Sequence, residues 1–200
     1  MSRYKYLRQS VKLTGLGEGS FSRAIAAAQE IYGMFDCHFL DGTLELWFLS
    51  YLDDSKIECL DASNRYFTPS RDAPGVKSTP FHLGVDPQNV LANMMSGSSG
   101  HSFIHMEDNQ VQYYRSRRDA DGERRYGNTA YRQTFVLTYD LLFNRFEKCE
   151  PQMFRVGDVV EVQLSFVGVP LRDKRRKMLT VLRSMALLDG RFSMVRRRQP

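Results

Sequence analysis

Residues 154–190 read FRVGDVVEVQLSFVGVPLRDKRRKMLTVLRSMALLDG, and this stretch predicts a β-hairpin. Apolar and polar residues alternate from Val160 to Phe166, the period of two that is typical of a strand with one buried and one solvated face. A second alternation follows Pro170, and its apolar positions, interrupted by Arg183, are Leu179, Val181, Met185 and Leu187. Turn residues precede the first strand and follow the second. We therefore expect a core hairpin against which the rest of the chain packs.

The predicted hairpin carries a cluster of cations at its tip. Residues 171–200 hold ten Lys or Arg against two acids, a balance of +8, whereas residues 1–170 hold 18 against 21, a balance of −3. Residues 36–72 are the acidic counterpart, with eight acids against three bases. Such a distribution attracts polyanions at one segment and repels them at another. The tip cations are Arg172, Lys174, Arg175, Arg176 and Lys177.

Length and composition are those of one globular domain. With 200 residues, 42% of them hydrophobic and 26% charged, the chain is long enough for one sizeable core, and we expect a single domain over 1–200. No apolar run approaches the roughly 20 residues needed to cross a bilayer, and the N-terminus lacks the apolar stretch of a secretory signal. Three scattered cysteines fit reduced thiols better than a disulfide framework. We therefore expect an intracellular protein, nuclear or cytoplasmic, without a membrane partner.

The first third of the chain predicts a strand, a helix and a second strand. Residues 1–14 alternate like a short strand, and the alanine-rich segment from about Ser22 to Phe35 predicts a helix with Ser20 or Ser22 as its N-cap. Residues 43–51, TLELWFLSY, predict a strand whose large side chains are buried. Between the first strand and the helix lies GLGEGS, which would cradle phosphate if any loop did, but no Walker lysine follows it.

The middle of the chain is the least regular part. Residues 62–101 are rich in proline and predict a long loop, interrupted by a short helix that begins near Asp86-Pro87. Residues 101–118 predict a strand, or a strand pair broken at 107–109. Residues 127–150 fit either a helix or a strand. Together these elements predict a β-rich α+β fold, with a mainly antiparallel sheet or a partial small barrel and one or two packed helices.

A second basic cluster is mixed with tyrosines. Arginines contact phosphates and stack on bases, and tyrosine rings offer faces to unpaired bases, so the mixture is typical of binding to single-stranded or loop-rich nucleic acid. The alternative is an edge strand with its aromatic rings buried and its arginines in water, which would protect the edge from aggregation. The residues of this Arg/Tyr cluster are Tyr113, Tyr114, Arg115, Arg117, Arg118, Arg124, Arg125 and Tyr126.

No catalytic or metal-binding motif is present in the sequence. His105 and Glu107 resemble the first two ligands of a non-haem iron triad, but no histidine follows them to complete it. No GxSxG elbow or similar nucleophile signature occurs. We therefore predict no catalytic residue, no metal and no cofactor, and keep an enzyme with its active site under the 62–101 loop, near His82, His101 and His105, only as an alternative.

Two blocks of the chain carry a family resemblance. IHMEDNQVQYY, residues 104–114, and residues 152–190 resemble a family of small, uncharacterised proteins of mushroom-forming (basidiomycete) fungi. In that family's pattern the first block runs almost directly into the second, which would make residues 127–150 an insertion. The family implies no activity and no site residue. The run FRVGDVVEVQL is also similar to the opening strand of small β-barrels, including OB-folds that bind single strands.

These observations favour a non-enzymatic binding module for nucleic acid. Its phosphate contacts would come from the tip cations and the Arg/Tyr cluster, and Arg196-Arg197-Arg198 would add charge or act as a nuclear-import signal. The alternative is a protein-interaction or structural module that pairs its basic surfaces with an acidic partner or with a second copy.

Overall fold

The computed structural model describes residues 6–15, 17–52, 56–82, 84–96, 103–117 and 145–190. In these ranges the helices are α1 (Gly19–His38) and α2 (Val90–Ser96). The strands are β1 (Arg8–Thr14), β2 (Ser50–Tyr51), β3 (Glu58–Arg65), β4 (Thr68–Pro69), β5 (Phe103–Ile104), β6 (Gln112–Ser116), β7 (Phe146–Lys148), β8 (Val159–Pro170) and β9 (Arg176–Asp189). The fold is therefore β-rich α+β, as predicted, and no sheet among the described residues closes into a barrel.

The described residues form two compact units, the first drawn from 1–79, 100–110 and 163–183. Its main sheet has the order β1-β3-β2, with β1 and β3 antiparallel from the pair Arg8↔Arg65 to the pair Thr14↔Cys59. A smaller antiparallel sheet joins β4 to β5. Phe67, Leu182 and Cys59 are the largest of its fully buried apolar side chains. The tip half of the β8–β9 hairpin belongs to this unit.

The second unit is drawn from 80–99, 111–162 and 184–200. It contains β6, which lies between β7 and β9 in a sheet of order β7-β6-β9-β8. β6 is antiparallel to β7 and parallel to β9 over residues 112–115 and 184–187. Val111, Met185 and Ala186 are its buried apolar residues. β6 is thus an interior strand rather than the edge strand that the sequence allowed.

The predicted hairpin is confirmed, but over residues 178–182 the buried face of its second strand is the opposite one, whereas Met185 is buried as predicted. In β8, Val160, Val162 and Leu164 are half-buried between exposed neighbours, as expected. In the first half of β9 the buried residues are Met178, Thr180 and Leu182, and in its second half they are Met185, Ala186 and Asp189. The prediction placed Leu179 and Val181 inside because it counted apolar residues, but that face also carries Arg183, which donates a hydrogen bond to Ser165 Oγ at 3.0 Å.

The predicted helix is confirmed and is longer than expected. Ile25 and Ala28 are its buried residues. Its N-cap is Glu18, not a serine, and the Glu18 side chain makes no capping hydrogen bond. The glycines before it have a structural reason, since a Cβ on Gly15 would collide with the Phe21 side chain and Gly17 has a left-handed φ of 88°. Neither helix in the described part of the chain has the length and apolar character that crossing a bilayer requires.

The predicted strand at 43–51 is wrong except at its ends. Leu44 forms a single parallel bridge with Arg176, and only Ser50 and Tyr51 pair with β3. One end of the segment bonds to β9 and the other end bonds to β3. The residues between the two ends therefore pair with neither strand. Leu46 and Phe48, expected in the core, are 70% and 74% exposed. We call residues 45–49 the crossing segment.

The middle region follows the prediction in part. β3 and β4 occupy residues at the start of 62–101, and the predicted short helix is present as α2. The predicted break between two strands is a 3-10 turn at Glu107–Asn109, which separates β5 from β6. Of the ambiguous segment, residues 127–144 lie outside the described ranges and 146–148 form β7.

The turn at residues 105–109 is held by a buried set of hydrogen bonds, which we call the turn clamp. The Asn109 side-chain oxygen accepts from Met106 N at 2.9 Å, and its amide exchanges two hydrogen bonds with the Thr68 hydroxyl at 3.0 and 3.2 Å. Gln9 Nε2 donates to Asn109 O, and Asn64 Nδ2 donates to Asp108 O. Buried polar groups are stable only when bonded in this way. The clamp therefore fixes the turn to β1, β3 and β4.

Candidate nucleic-acid interface

The two predicted cationic clusters fall in different units, and each is described by itself. The tip cations belong to the first unit, and the described members of the Arg/Tyr cluster belong to the second. Other predicted contacts lie outside the described residues, namely Arg118, Arg124, Arg125, Tyr126 and the run Arg196–Arg198.

Arg115 and Arg117, the described arginines of the Arg/Tyr cluster, share one carboxylate. Arg115 bonds through Nε to Glu147, which lies opposite it on β7, and Arg117 Nε lies 3.8 Å from the other Glu147 oxygen. Cross-strand pairs of opposite charge stabilise a sheet. One carboxylate against two guanidinium groups leaves a single positive charge uncompensated here, which is a weak attraction for a polyanion.

The tyrosines of the second unit are packed into the sheet. The ring centre of Tyr113 lies 5.6 Å from that of Phe154, in a tilted arrangement, and both Tyr113 and Tyr114 are half-buried. An aromatic ring packed on a neighbour has less of its face available to a base. The described part of the Arg/Tyr cluster therefore has half-buried tyrosines and exposed arginines, as in the structural alternative, although β6 is not the edge strand that this alternative assumed.

Two of the five tip cations are used to build the first unit. Arg175 donates to Asp173 at 2.5 Å and lies 3.1 Å from Glu45 of the crossing segment. The hydrogen bond from Arg175 holds the pKa of the Asp173 carboxyl below its usual value. The Arg176 guanidinium lies 4.6 Å above the Phe39 ring, a cation–π arrangement, and its backbone bonds to Thr43 and Glu45.

The other three tip cations point to solvent. Arg172, Lys174 and Lys177 are exposed, and none forms an ion pair with a described residue. Lys174 has a left-handed φ of 65°, which closes the tight turn between the two strands. The backbone hydrogen bond from Leu171 N to Arg175 O fixes the same turn at 2.8 Å. The turn and the start of β9 thus present three cations that have no acidic partner among the described residues.

A groove of about 340 Å³ opens beside this tip, within the first unit. It is lined by residues 177–181 of β9, by residues of β3 and by the crossing segment. Trp47 and Phe48 line it together with the cations Arg8 and Lys177. Its volume is at the low end of small-molecule sites. We call this cavity the crossing groove.

The acids of the crossing groove already face cations, whereas two of its cations do not face acids. Glu45 is paired with Arg175, and Asp61 lies directly opposite Lys12 in the β1–β3 register. Arg8 lies opposite Arg65, a like charge, and donates only to the neutral Ser63 hydroxyl at 3.3 Å. Like charges directly opposite each other destabilise a sheet. The four charged residues of the lining, Arg8, Lys177, Glu45 and Asp61, sum to zero, so the groove attracts an anion only through Arg8 and Lys177, which have no acidic partner among the described residues.

The histidines of the enzyme alternative have structural partners. His105 is buried and its Nδ1 donates to Tyr66 O at 2.7 Å, since a carbonyl oxygen can only accept. His82 Nε2 accepts from Gln112 Nε2 at 2.6 Å, and burial together with Lys148 lowers the His82 pKa. His101 lies outside the described ranges. No group of metal-ligating side chains is found in the part of the chain that the structure describes.

Comparison with protein-family models, with curated proteins and with solved structures gives no match. The resemblance to a fungal family therefore stays a prediction, and so does the likeness to OB-folds. Arg8, Trp47 and Phe48 were not predicted from the sequence as binding residues. The aromatic run LWF was visible in the sequence, but its strand-like composition assigned it to the core.

Proposed function

We propose that the protein is a non-enzymatic nucleic-acid-binding module whose contact surface, in the described residues, is the crossing groove and the hairpin tip. The observation that carries the proposal is the exposed aromatic side chain of Phe48 next to Lys177 and Arg8, two cations without an acidic partner among the described residues. Aromatic rings beside a cationic track are what proteins use to bind single strands. The location proposed with this function is the nucleus, reached through Arg196-Arg197-Arg198.

The exposed side chains of the crossing segment support the proposal on energetic grounds. Apolar area left in water forgoes about 25 cal/mol per Å² relative to burial, so large exposed side chains held in place are unfavourable in the free protein. Leu46 and Phe48 remain exposed although both ends of their segment are fixed, by Glu45 N to Arg176 O and by Ser50 to β3. A ligand that covers these side chains recovers that free energy.

The charges of this surface make the proposal sensitive to salt. Arg172, Lys174, Lys177 and Arg8 are four cations of one unit that could each neutralise a phosphate. For single strands, log K falls against log salt with a slope of about −0.7 per phosphate neutralised. Oligonucleotide binding should therefore weaken steeply when the salt concentration rises.

The direct test uses Trp47, which lines the groove and is the one tryptophan of the sequence. The protein is titrated with DNA and RNA oligonucleotides of about 12 nucleotides at several salt concentrations, and Trp47 emission is followed. Lys177→Ala should reduce the salt slope by about 0.7. Lys77→Ala is the matched control, because it removes an exposed lysine that does not line the groove. Absence of binding even at about 50 mM salt would refute the proposal.

A protein-interaction module is the second candidate, and one observation favours it. Leu40 is 82% exposed in the same unit as Leu46 and Phe48, so the apolar exposure extends beyond the crossing groove. Exposed apolar side chains mark protein interfaces when they are contiguous. Size-exclusion chromatography with light scattering at low and high salt tests it. A defined oligomer together with no oligonucleotide affinity favours this candidate over nucleic-acid binding.

A further inference from the structure

The crossing groove is bordered by a stretch of β9 with one edge that pairs with no described strand. β9 pairs with β6 only over residues 184–187, and its bridge to Leu44 is at Arg176. Between those points, over residues 177–183, no described strand pairs with that edge of β9. The edge of a strand presents alternating N–H donors and C=O acceptors. Residues 177–181 line the groove.

We propose that the crossing groove receives an unpaired nucleobase of a single strand, stacked on Phe48 and hydrogen-bonded to the 177–181 edge. This inference rests on the proposed function and specifies its ligand. The base of a single strand has a free face and a free Watson–Crick edge, both of which a duplex hides. The groove supplies a partner for each, an exposed ring for the face and backbone groups for the edge.

The polar atoms inside the groove extend this match. Ser50, a residue of the lining, donates its hydroxyl proton to Cys59 O at 3.2 Å and lies 3.0 Å from Cys59 Sγ. Its oxygen is left to accept a hydrogen bond from an N–H group on a base edge. Arg8 and Lys177 at the lining are placed to meet the phosphates on either side of an inserted base.

The charge balance selects nucleic acid over an extended peptide as the occupant. An added peptide strand would use the same edge of β9 but carries no regular negative charge. The lining cations Arg8 and Lys177 have no acidic partner among described residues, and the hairpin tip adds Arg172 and Lys174. A chain with one charge per residue neutralises them, whereas a neutral peptide leaves them unpaired.

The test compares oligothymidine with a strand of abasic residues that has the same number of phosphates, about 12 in each. Both strands present equal charge, and only the first has bases. Trp47 emission should change on binding oligothymidine, and the abasic strand should bind roughly 5- to 150-fold more weakly, the loss expected for one stacked base. A blunt duplex of equal length should bind more weakly than a hairpin with an unpaired loop. RNA and DNA probes of the same sequence distinguish the two kinds of strand.

Three variants separate stacking from simple hydrophobic contact. Phe48→Tyr keeps the ring and should keep affinity for oligothymidine within about twofold, whereas Phe48→Leu keeps apolar area without a ring and should lose roughly 5- to 150-fold. Leu40→Ala, an exposed residue that does not line the groove, should have no effect. Phe48 is 74% exposed, so folding should tolerate its replacement, as circular dichroism would verify.

The two proposals fail in different ways. Equal binding of the abasic and base-containing strands would overturn the base site while nucleic-acid binding stands. Unchanged affinity in Phe48→Leu would overturn it equally. Absence of binding by every strand at low salt would overturn the proposed function itself.

Discussion

Truncating Asn109 should destabilise the first unit far more than truncating its neighbour Asp108. The Asn109 side chain is at the centre of the turn clamp, and the residue is 1% exposed. Asn109→Ala removes the acceptor of the Met106 N–H and both hydrogen bonds to the Thr68 hydroxyl. Each buried polar group left without a partner costs about 1–3 kcal/mol, so the two groups together give a loss of roughly 2–6 kcal/mol.

Asp108→Ala is the matched control for this prediction. The Asp108 carboxylate is 78% exposed and lies 3.5 Å from Arg183, a surface ion pair worth about 0–1 kcal/mol. Its backbone oxygen, which accepts from Asn64 and Arg183, is kept in the variant. The two variants thus differ by one position in the chain but by several kcal/mol in expected effect.

Urea unfolding followed by Trp47 emission measures both effects, because Trp47 belongs to the same unit as the clamp. A double-mutant cycle with Thr68→Val should show a coupling to Asn109→Ala in the range of 0.5–3 kcal/mol that is usual for contacting residues, about the size of one or two buried hydrogen bonds. The prediction is refuted if the free energies of unfolding of Asn109→Ala and Asp108→Ala differ by less than about 0.5 kcal/mol.

Three further predictions follow from single positions. A Cβ at Gly168 would lie 3.0 Å from the Phe39 ring, so Gly168→Ala should lower the melting temperature. A Cβ at Gly33 would have no neighbouring atom within 4 Å, so Gly33→Ala should raise the stability of the helix by up to about 1 kcal/mol. Because the pKa of His82 is lowered in the folded protein, unfolding in acid takes up a proton. The contribution of His82 to the free energy of unfolding is therefore complete above about pH 6.5 and is lost as the pH falls below that value. His82→Gln should reduce the loss of stability that is measured between about pH 7.5 and 5.5. Burial raises the pKa of the Cys149 thiol, whereas Cys37 is exposed. Mass spectrometry after brief iodoacetamide treatment near neutral pH should therefore find Cys37 alkylated before Cys149. Faster labelling of Cys149 would contradict this prediction.

Elements with a strong local pattern were predictable from the sequence. The alternation in β8 and the alanine-rich body of α1 each specify their structure within a few residues, because periodicity and helix propensity are local properties. The same is true of the hairpin, in which Pro170 and the charged tip separate two alternating runs. Local signals of this kind need no knowledge of what the element packs against.

The face of β9 and the fate of the crossing segment depend on tertiary partners and were not predictable. Both faces of β9 contain apolar residues, and the buried one was decided by Arg183, whose guanidinium reaches Ser165 and Asp108 O. TLELWFLSY has strand composition throughout, yet its ends bond to different strands. Strand propensity measures how a side chain fits a pleated surface, so it has no meaning where no neighbouring strand is present.

The cationic composition of the candidate site was predictable from the sequence, but the tertiary contacts of its residues were not. That the tip is cationic is a property of composition, and Arg172, Lys174 and Lys177 are exposed as expected. Which tip cations are neutralised depends on Glu45, more than a hundred residues away in the sequence, and on Phe39 beneath Arg176. Arg8 enters the groove only because β1 pairs with β3. A run of charged residues in the sequence therefore predicts a charged surface, and the fold determines which of its cations remain without an acidic partner.

The contacts of Arg175 and Arg176 explain why the side chains of the crossing segment stay exposed. Arg175 holds Glu45, and the Arg176 backbone bonds to Thr43 and Glu45, so the start of the segment is fixed to β9. Ser50 fixes its end to β3. A segment fixed at both ends cannot fold its exposed side chains into the core, and the same contacts that use two tip cations keep Phe48 beside Lys177. The exposure of the ring is thus a consequence of how the first unit is built, which is the arrangement that a pre-formed binding surface requires.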